Sequence, residues 1–200
     1  MFEGFVSSFI SLFVVMDPFA SIPVFLSVTK GKGRNKLHAA SSAVGIAAAV
    51  LFAFIFFGQE MLSFFRVNFY SLQVAGGIVL LVLGVELVLG FSLTRGSYKY
   101  TPAISLIGTP LLTGPGAITL TTILVKEYGR LVVSMAAILA LMLCLLVLWF
   151  SNYFTRFIGN YGIGTTSRAI GIFLVAIAVE LILRGLVSRL AELRVEGIFS

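Results

Sequence analysis

The sequence predicts an all-α polytopic membrane protein of six transmembrane helices, built as two inverted three-helix repeats. Three observations predict it. Apolar residues make up 59% of the 200 positions and charged residues only 11%, against about 25% charged in an ordinary soluble domain. The apolar residues fall into six runs of the roughly 20 residues that cross a bilayer core. The second half of the chain also repeats features of the first. A soluble fold of this length could not hide so much apolar surface, because small domains leave much of their area exposed.

The first run, 5–28, contains DPFASIP at 17–23. It is preceded by Glu3 and by no Lys or Arg, and no small-residue cleavage site follows a short apolar core. It therefore reads as a retained helix rather than a signal peptide. The second run, 39–58, opens with Ala, Ser and Gly from Ala39 to Ala49, which permits close helix packing. The third, 71–91, carries Glu86; the fourth, 102–125, carries TPLLTGP at 109–115; the fifth, 131–150, holds Cys144; the sixth, 169–187, carries Glu180. Cys144 is the only cysteine, so no disulfide within one chain is possible. The connections are too short for a soluble domain.

The charges fit this map. All 14 Lys and Arg residues lie between the runs or at their edges, and of the eight acids only Asp17, Glu86 and Glu180 stand inside them. The net charge of +6 is thus spread over membrane-edge loops, where it meets lipid headgroups rather than nucleic acid. His38 lies in the first such loop and faces headgroups or solvent.

The repeat is read at two offsets. At 94 residues, Gly77 meets Gly171, Glu86 meets Glu180, and VELVL meets VELIL. At 92 residues, Pro18 meets Pro110, Ser21 meets Thr113, and Pro23 meets Pro115, with Asp17 and Thr109 each preceding a proline. The halves are 1–97 and 98–200. Three spans is an odd number, so the second half enters the membrane from the opposite side, an architecture common in secondary transporters.

The proline motifs break the first and fourth helices. Proline inside a helix removes a donor and clashes with an earlier carbonyl, costing about 3 kcal/mol or more. Asp and Thr are good N-cap residues and proline is favoured at the first helical position, so Asp17–Pro18 and Thr109–Pro110 can each begin a half-helix. Gly114 and Gly116 loosen the backbone around Pro115. Interrupted backbone in a bilayer is tolerated where it faces protein or a wet cavity, and a half-helix N-terminus presents amides to an anion. The carboxylate of a free amino acid suits such a site. Ser21, Thr109 and Thr113 offer hydroxyls there, while Ala20 and Gly116 leave room for a small side chain only. Asp17 reads equally as a helix cap or as a proton, cation or ammonium site, since an ionisable residue within a span is a functional candidate. Glu86 and Glu180 are coupling-ion candidates by their matched positions, although a structural role is favoured: Glu180 stands four residues before Arg184, the spacing of a helical ion pair. Gly58, Gly90 and Gly185, at span ends, read as hinges or as packing and helix-ending positions.

No His, Cys and carboxylate cluster has metal-binding spacing, no glycine-rich nucleotide loop is present, and no nucleophile has a base beside it. The sequence therefore predicts no enzyme, no metal and no cofactor, with a proton or sodium as possible coupling ion. Transport by alternating access leads; a passive channel or facilitator is the alternative, and an intramembrane enzyme is less supported.

VVMDPFASIPVFLSVT at 14–29 and TPLLTGPGAITL at 109–120 resemble the paired signatures of the MarC family over essentially the whole chain. The resemblance implies an inner-membrane protein of six spans that takes up or exchanges glycine, alanine and similar neutral amino acids, driven by a cation gradient. Carried over by motif, its site comprises Asp17, Pro18, Ser21, Pro23, Thr113, Gly114, Pro115 and Gly116. Many members carry Gly-Asn where this chain has Ala20 and Ser21, so a hydroxyl stands here in place of an amide.

Loops 1–2, 3–4 and 5–6 hold eight basic residues (Lys30, Lys32, Arg34, Lys36, Arg95, Lys99, Arg156, Arg168), and the other side holds six (Arg66, Lys126, Arg130, Arg184, Arg189, Arg194). The positive-inside rule then sets both termini outside a plasma membrane.

Overall fold

The computed structural model describes residues 2–29, 36–90 and 112–195, and all regular structure among them is helical. The helices are α1 (Phe2–Met16), α2 (Pro18–Thr29), α3 (Lys36–Phe64), α4 (Phe69–Leu89), α5 (Pro115–Tyr128), α6 (Arg130–Trp149) and α7 (Ser151–Val195). Among the described residues, five stretches are long and apolar enough to cross a membrane: Phe2–Pro23, Leu37–Phe64, Phe69–Leu89, Arg130–Trp149 and Gly164–Arg194. They match the first, second, third, fifth and sixth predicted runs. Of the fourth run, the described part is α5 and the three residues before it. The 14 residues of α5 rise about 21 Å, short of a bilayer core. Thr109 and Pro110 lie outside the described residues.

The helices suit lipid rather than water. Ile78, Val82, Ile138, Met142, Phe173 and Leu183 are all exposed, so α4 and α6 show no polar face to a solvent, and the second part of α7 exposes apolar residues beside its Glu180–Arg184 pair. A helix apolar all round belongs in a core or a membrane. Inside, small residues bring backbones together. α3 packs on α6, and both bury alanines: Ala40, Ala43 and Ala47 on one, Ala136, Ala137 and Ala140 on the other. Of the Ala39 to Ala49 stretch, Ala39, Ala40, Ala43 and Ala47 are buried, while Ser41, Ser42, Gly45 and Ala49 are exposed, so one face of it serves close packing.

The most extensive packing joins α4 to α7. A Cβ on Gly77 would fall 2.8 Å from the Ala178 carbonyl oxygen, one on Gly84 3.1 Å from that of Gly171, and one on Gly185 2.9 Å from that of Tyr70. Partner numbers fall as α4 numbers rise, so the two helices run antiparallel, and glycine is what lets their backbones touch.

Chain ends and turns sort onto two faces. On one, the Tyr128 ring lies against Gly4, Asn68 donates to Glu192, Lys126 sits over Phe69, and Glu60 pairs with Arg130. This termini face gathers the start of α1 and α4 and the ends of α3, α5 and α7. On the other, Gly90 at the end of α4 lies beside Arg168, and Phe19 stacks edge-on against Phe154.

Both ends of α4 are capped. Asn68 Oδ1 accepts from Tyr70 N at 2.8 Å. Gly90 adopts a left-handed conformation (φ 74°) and donates back to the Glu86 carbonyl, so this hinge candidate is a helix stop. A Cβ on Gly58 would fall 2.7 Å from Thr122 Oγ1, so Gly58, like Gly185, is a packing position. A left-handed residue with a Cβ costs about 1–2 kcal/mol. Gly90→Ala should therefore destabilise the detergent-solubilised protein by about 1 kcal/mol, visible as a lowered thermal midpoint with the same elution profile.

One element differs from expectation. The stretch 151–168 reads as a connection by its polar residues, yet α7 starts at Ser151 and turns at Gly159 (φ 71°, ψ 171°) before running on. A helix at a membrane edge carries polar residues on one side, so a search for apolar runs passes over it. The positive φ at Gly159 is what separates this short piece from the long helix.

Candidate functional site

The first break is built by Asp17 and Pro18. Asp17 N still donates to the Phe13 carbonyl at 3.2 Å, closing α1. Proline has no N–H to continue the ladder, and Asp17 turns to φ 32°. Its side chain then starts α2: Asp17 Oδ1 accepts from Ala20 N at 3.2 Å, placing Pro18 at the first helical position as the residue types predict. Ser21 Oγ donates to the Asp17 carbonyl at 3.3 Å. Asp17 and Ser21 are buried, Ala20 is half-buried and Pro23, inside α2, is exposed. The cap role of Asp17 is thus observed. Cys144 stands fourteen residues along α6 from Arg130, about 21 Å from the termini face and so at the same depth as Asp17.

The second described break falls at Gly114–Pro115, with Gly114 as N-cap in extended conformation and Pro115 at the first helical position. Gly114 has no side chain to cap with, and α5 shows no side-chain cap bond. Thr113, directly before it, is 1% exposed, and its Oγ1 finds no partner among the described residues. Gly116 is buried against α4, where a Cβ would meet Leu80 Cδ2 at 2.5 Å. The space that Gly116 provides is therefore filled by Leu80, contrary to the expectation that it leaves room for a substrate side chain. Leu80 is near the middle of α4, so α5 begins deep in the protein rather than at an edge.

The two breaks share a level. The Gly4–Tyr128 contact ties the start of α1 to the end of α5, and α1 packs on α5. Asp17 lies thirteen residues beyond Gly4, and Pro115 thirteen residues before Tyr128. At 1.5 Å per residue both stand about 20 Å from the termini face. One N-terminus is occupied by the carboxylate of Asp17; the other is open, next to a buried hydroxyl. The first can attract a cationic group through Asp17; at the second Ala117 N and Ile118 N donate to the Gly114 carbonyl, which leaves the Gly116 amide and the helix dipole for an anionic one.

The other candidates stand elsewhere. Glu86 is buried on α4. Glu180 is exposed and accepts from Arg184 Nε at 2.6 Å, the pair its spacing predicts. Two apolar grooves contain none of the candidate residues: one of about 580 Å³ lined by Leu143, Leu146, Val147, Phe150, Tyr153, Phe154 and Phe157, the other of about 330 Å³ between α4 and α7. Among the described residues, no three His, Cys, Asp or Glu side chains gather closely enough to hold a metal ion.

Fold and site together define a polytopic helical membrane protein whose helices α2 and α5 start at prolines away from the membrane edges. The chain belongs to the MarC family: the model described as MarC family integral membrane protein matches residues 2–190. Relatives include a UPF0056 membrane protein of Archaeoglobus fulgidus, 32% identical over 94% of this chain and 95% of the relative. The UPF0056 membrane protein MJ1677 of Methanocaldococcus jannaschii is 31% identical over 92% of this chain and 96% of its own. The UPF0056 inner membrane protein YhgN of Escherichia coli K12 is 28% identical over 90% and 95%. No solved structure matches the chain.

Proposed function

We propose that this protein is a secondary transporter of small neutral amino acids such as glycine and alanine, coupled to a proton or sodium gradient. It works in the plasma membrane by alternating access, without enzymatic activity or cofactor. The observation that carries the reading is the pair of helix N-termini at one level, one capped by Asp17 and one uncapped beside Thr113. A zwitterion fits this pair: its carboxylate takes the Gly116 amide at the start of α5 and the Thr113 hydroxyl, and its ammonium faces Asp17.

Six crossings in two inverted halves, 1–97 and 98–200, are part of this reading. α4 ends beside Arg168 on one face, and α5 ends with Lys126 over Phe69 on the other, so the chain between Gly90 and Lys126 traverses the protein. Exchange of the halves at offset 94 turns the Gly77–Ala178 contact into Gly171–Gly84, and both contacts are present. The packing of α2 on α6 is likewise matched by that of α5 on α3, and α2 on α7 by α5 on α4. The basic-residue balance sets both termini outside.

The test is uptake of radiolabelled glycine and alanine into proteoliposomes, with and without an imposed proton or sodium gradient. Accumulation above equilibrium supports coupled transport; equilibration alone favours a facilitator; absence of flux with folded protein removes amino acids as substrates. Thr113→Val sharpens it. Removing a buried hydroxyl without a partner is close to neutral for the fold, so the thermal midpoint should hold or rise slightly. Loss of a hydrogen bond to a charged carboxylate, about 1.5–3 kcal/mol, should raise the half-saturation concentration about tenfold or more.

A further inference from the structure

We propose that the termini face carries a latch between the two halves, and that its release opens the level of Asp17 to that side. The proposal rests on the reading of 1–97 and 98–200 as halves that move against each other.

Three polar ties on this face join one half to the other. Glu60, near the end of α3, pairs with Arg130 at the start of α6. Asn68 Nδ2, at the start of α4, donates to Glu192 Oε2 near the end of α7 at 3.0 Å, and Arg189 holds the same oxygen. Lys126 Nζ, near the end of α5, stands 3.7 Å from the centre of the Phe69 ring. Beneath these ties, between Gly4 and Asp17, α1 buries Leu12 and Met16, an apolar layer over the site. On the opposite face the Arg168 guanidinium lies beside Gly90 at the end of α4, Phe19 meets Phe154 with ring centres 5.7 Å apart, and Ile22 and Leu26 cluster with Val147.

The ties of the termini face have a mechanical meaning. Apolar contacts within lipid lack a hydrophobic drive to stay closed, whereas ion pairs and charge-assisted bonds hold one geometry. The Arg130 and Glu60 side chains are 44% and 55% exposed, and such pairs are individually weak. A latch of several weak ties holds one face shut and still yields within a transport cycle.

The lone cysteine supplies the readout. Cys144 is fully buried and stands fourteen residues along α6 from Arg130, about 21 Å from the termini face and so at the level of Asp17; its labelling by a membrane-impermeant maleimide therefore reports access to that level. The full chain is reconstituted in vesicles and the reagent is applied to one face at a time. Wild type should label slowly from both. Glu60→Ala/Glu192→Ala should label about three- to tenfold faster from the termini face and unchanged from the other, with helical content and elution preserved. The charge swap Glu60→Arg/Arg130→Glu should return the rate toward wild type. An unchanged rate, or an equal rise from both faces, overturns the latch. The readout needs no substrate: absent amino-acid flux with the labelling shift intact refutes the transport reading alone, and flux with unshifted labelling refutes the latch alone.

Discussion

Asp17→Asn should leave the protein folded and abolish gradient-driven accumulation of glycine. Asn caps helices about as well as Asp, and its amide oxygen replaces the Oδ1 that accepts from Ala20 N. Asn also tolerates positive φ better than most residues, and position 17 stands at φ 32°. The fold therefore keeps its break. What the substitution removes is the charge, and with it the charge-assisted contact to a substrate ammonium or a coupling cation. A hydrogen bond to a charged group is worth about 1.5–3 kcal/mol, so driven uptake should fall about tenfold or more, while exchange at equal concentrations falls less. Asp17→Ala makes the comparison: it loses the cap as well, at about 1 kcal/mol, and should lower the thermal midpoint where Asn does not. Driven uptake at the wild-type rate in the Asn variant would reduce Asp17 to a cap.

The first break was legible because proline chemistry is local. Asp before Pro specifies both an N-cap and a first helical residue, and α2 starts at Pro18. The same chemistry at Gly114–Pro115 places the start of α5, but it does not say which of two prolines in TPLLTGP begins a helix. That choice depends on what neighbours the segment, including Leu80 against Gly116. The helix at Ser151 was hidden for a related reason: periods and runs report burial in lipid, and an edge helix has little of it.

Distances across the protein were less accessible. Matched glycines at offset 94 show that α4 and α7 are alike, yet only packing shows that they meet back to back. The ties on the termini face each join positions far apart in the chain, and no spacing rule reaches from Asn68 to Glu192 or from Glu60 to Arg130. By contrast the Glu180–Arg184 pair, four residues apart on one helix, was readable.

The α4–α7 seam gives the second large effect. Gly84→Leu and Gly171→Leu should each separate the helices and lose the folded state in mild detergent. Even a lone Cβ on Gly84 would stand 3.0 Å from Val175 N and 3.1 Å from the Gly171 carbonyl oxygen, and one on Gly171 3.0 Å from that of Gly84. Backbone atoms cannot swing aside as a side-chain tip can. Overpacking of this kind costs about 1–3 kcal/mol for a modest excess, and a leucine exceeds it. Gly45→Ala is the control: a Cβ there meets no described atom within 4 Å, and replacing a helical glycine should gain up to about 1 kcal/mol. Titration into a denaturing detergent, followed by helical signal, reads all three. Because Gly84 and Gly171 face each other in one contact, the double Leu variant should be less destabilised than the two losses added. Full additivity would mean that the two glycines relieve separate contacts, and the exchange of halves read from the seam would fall with it.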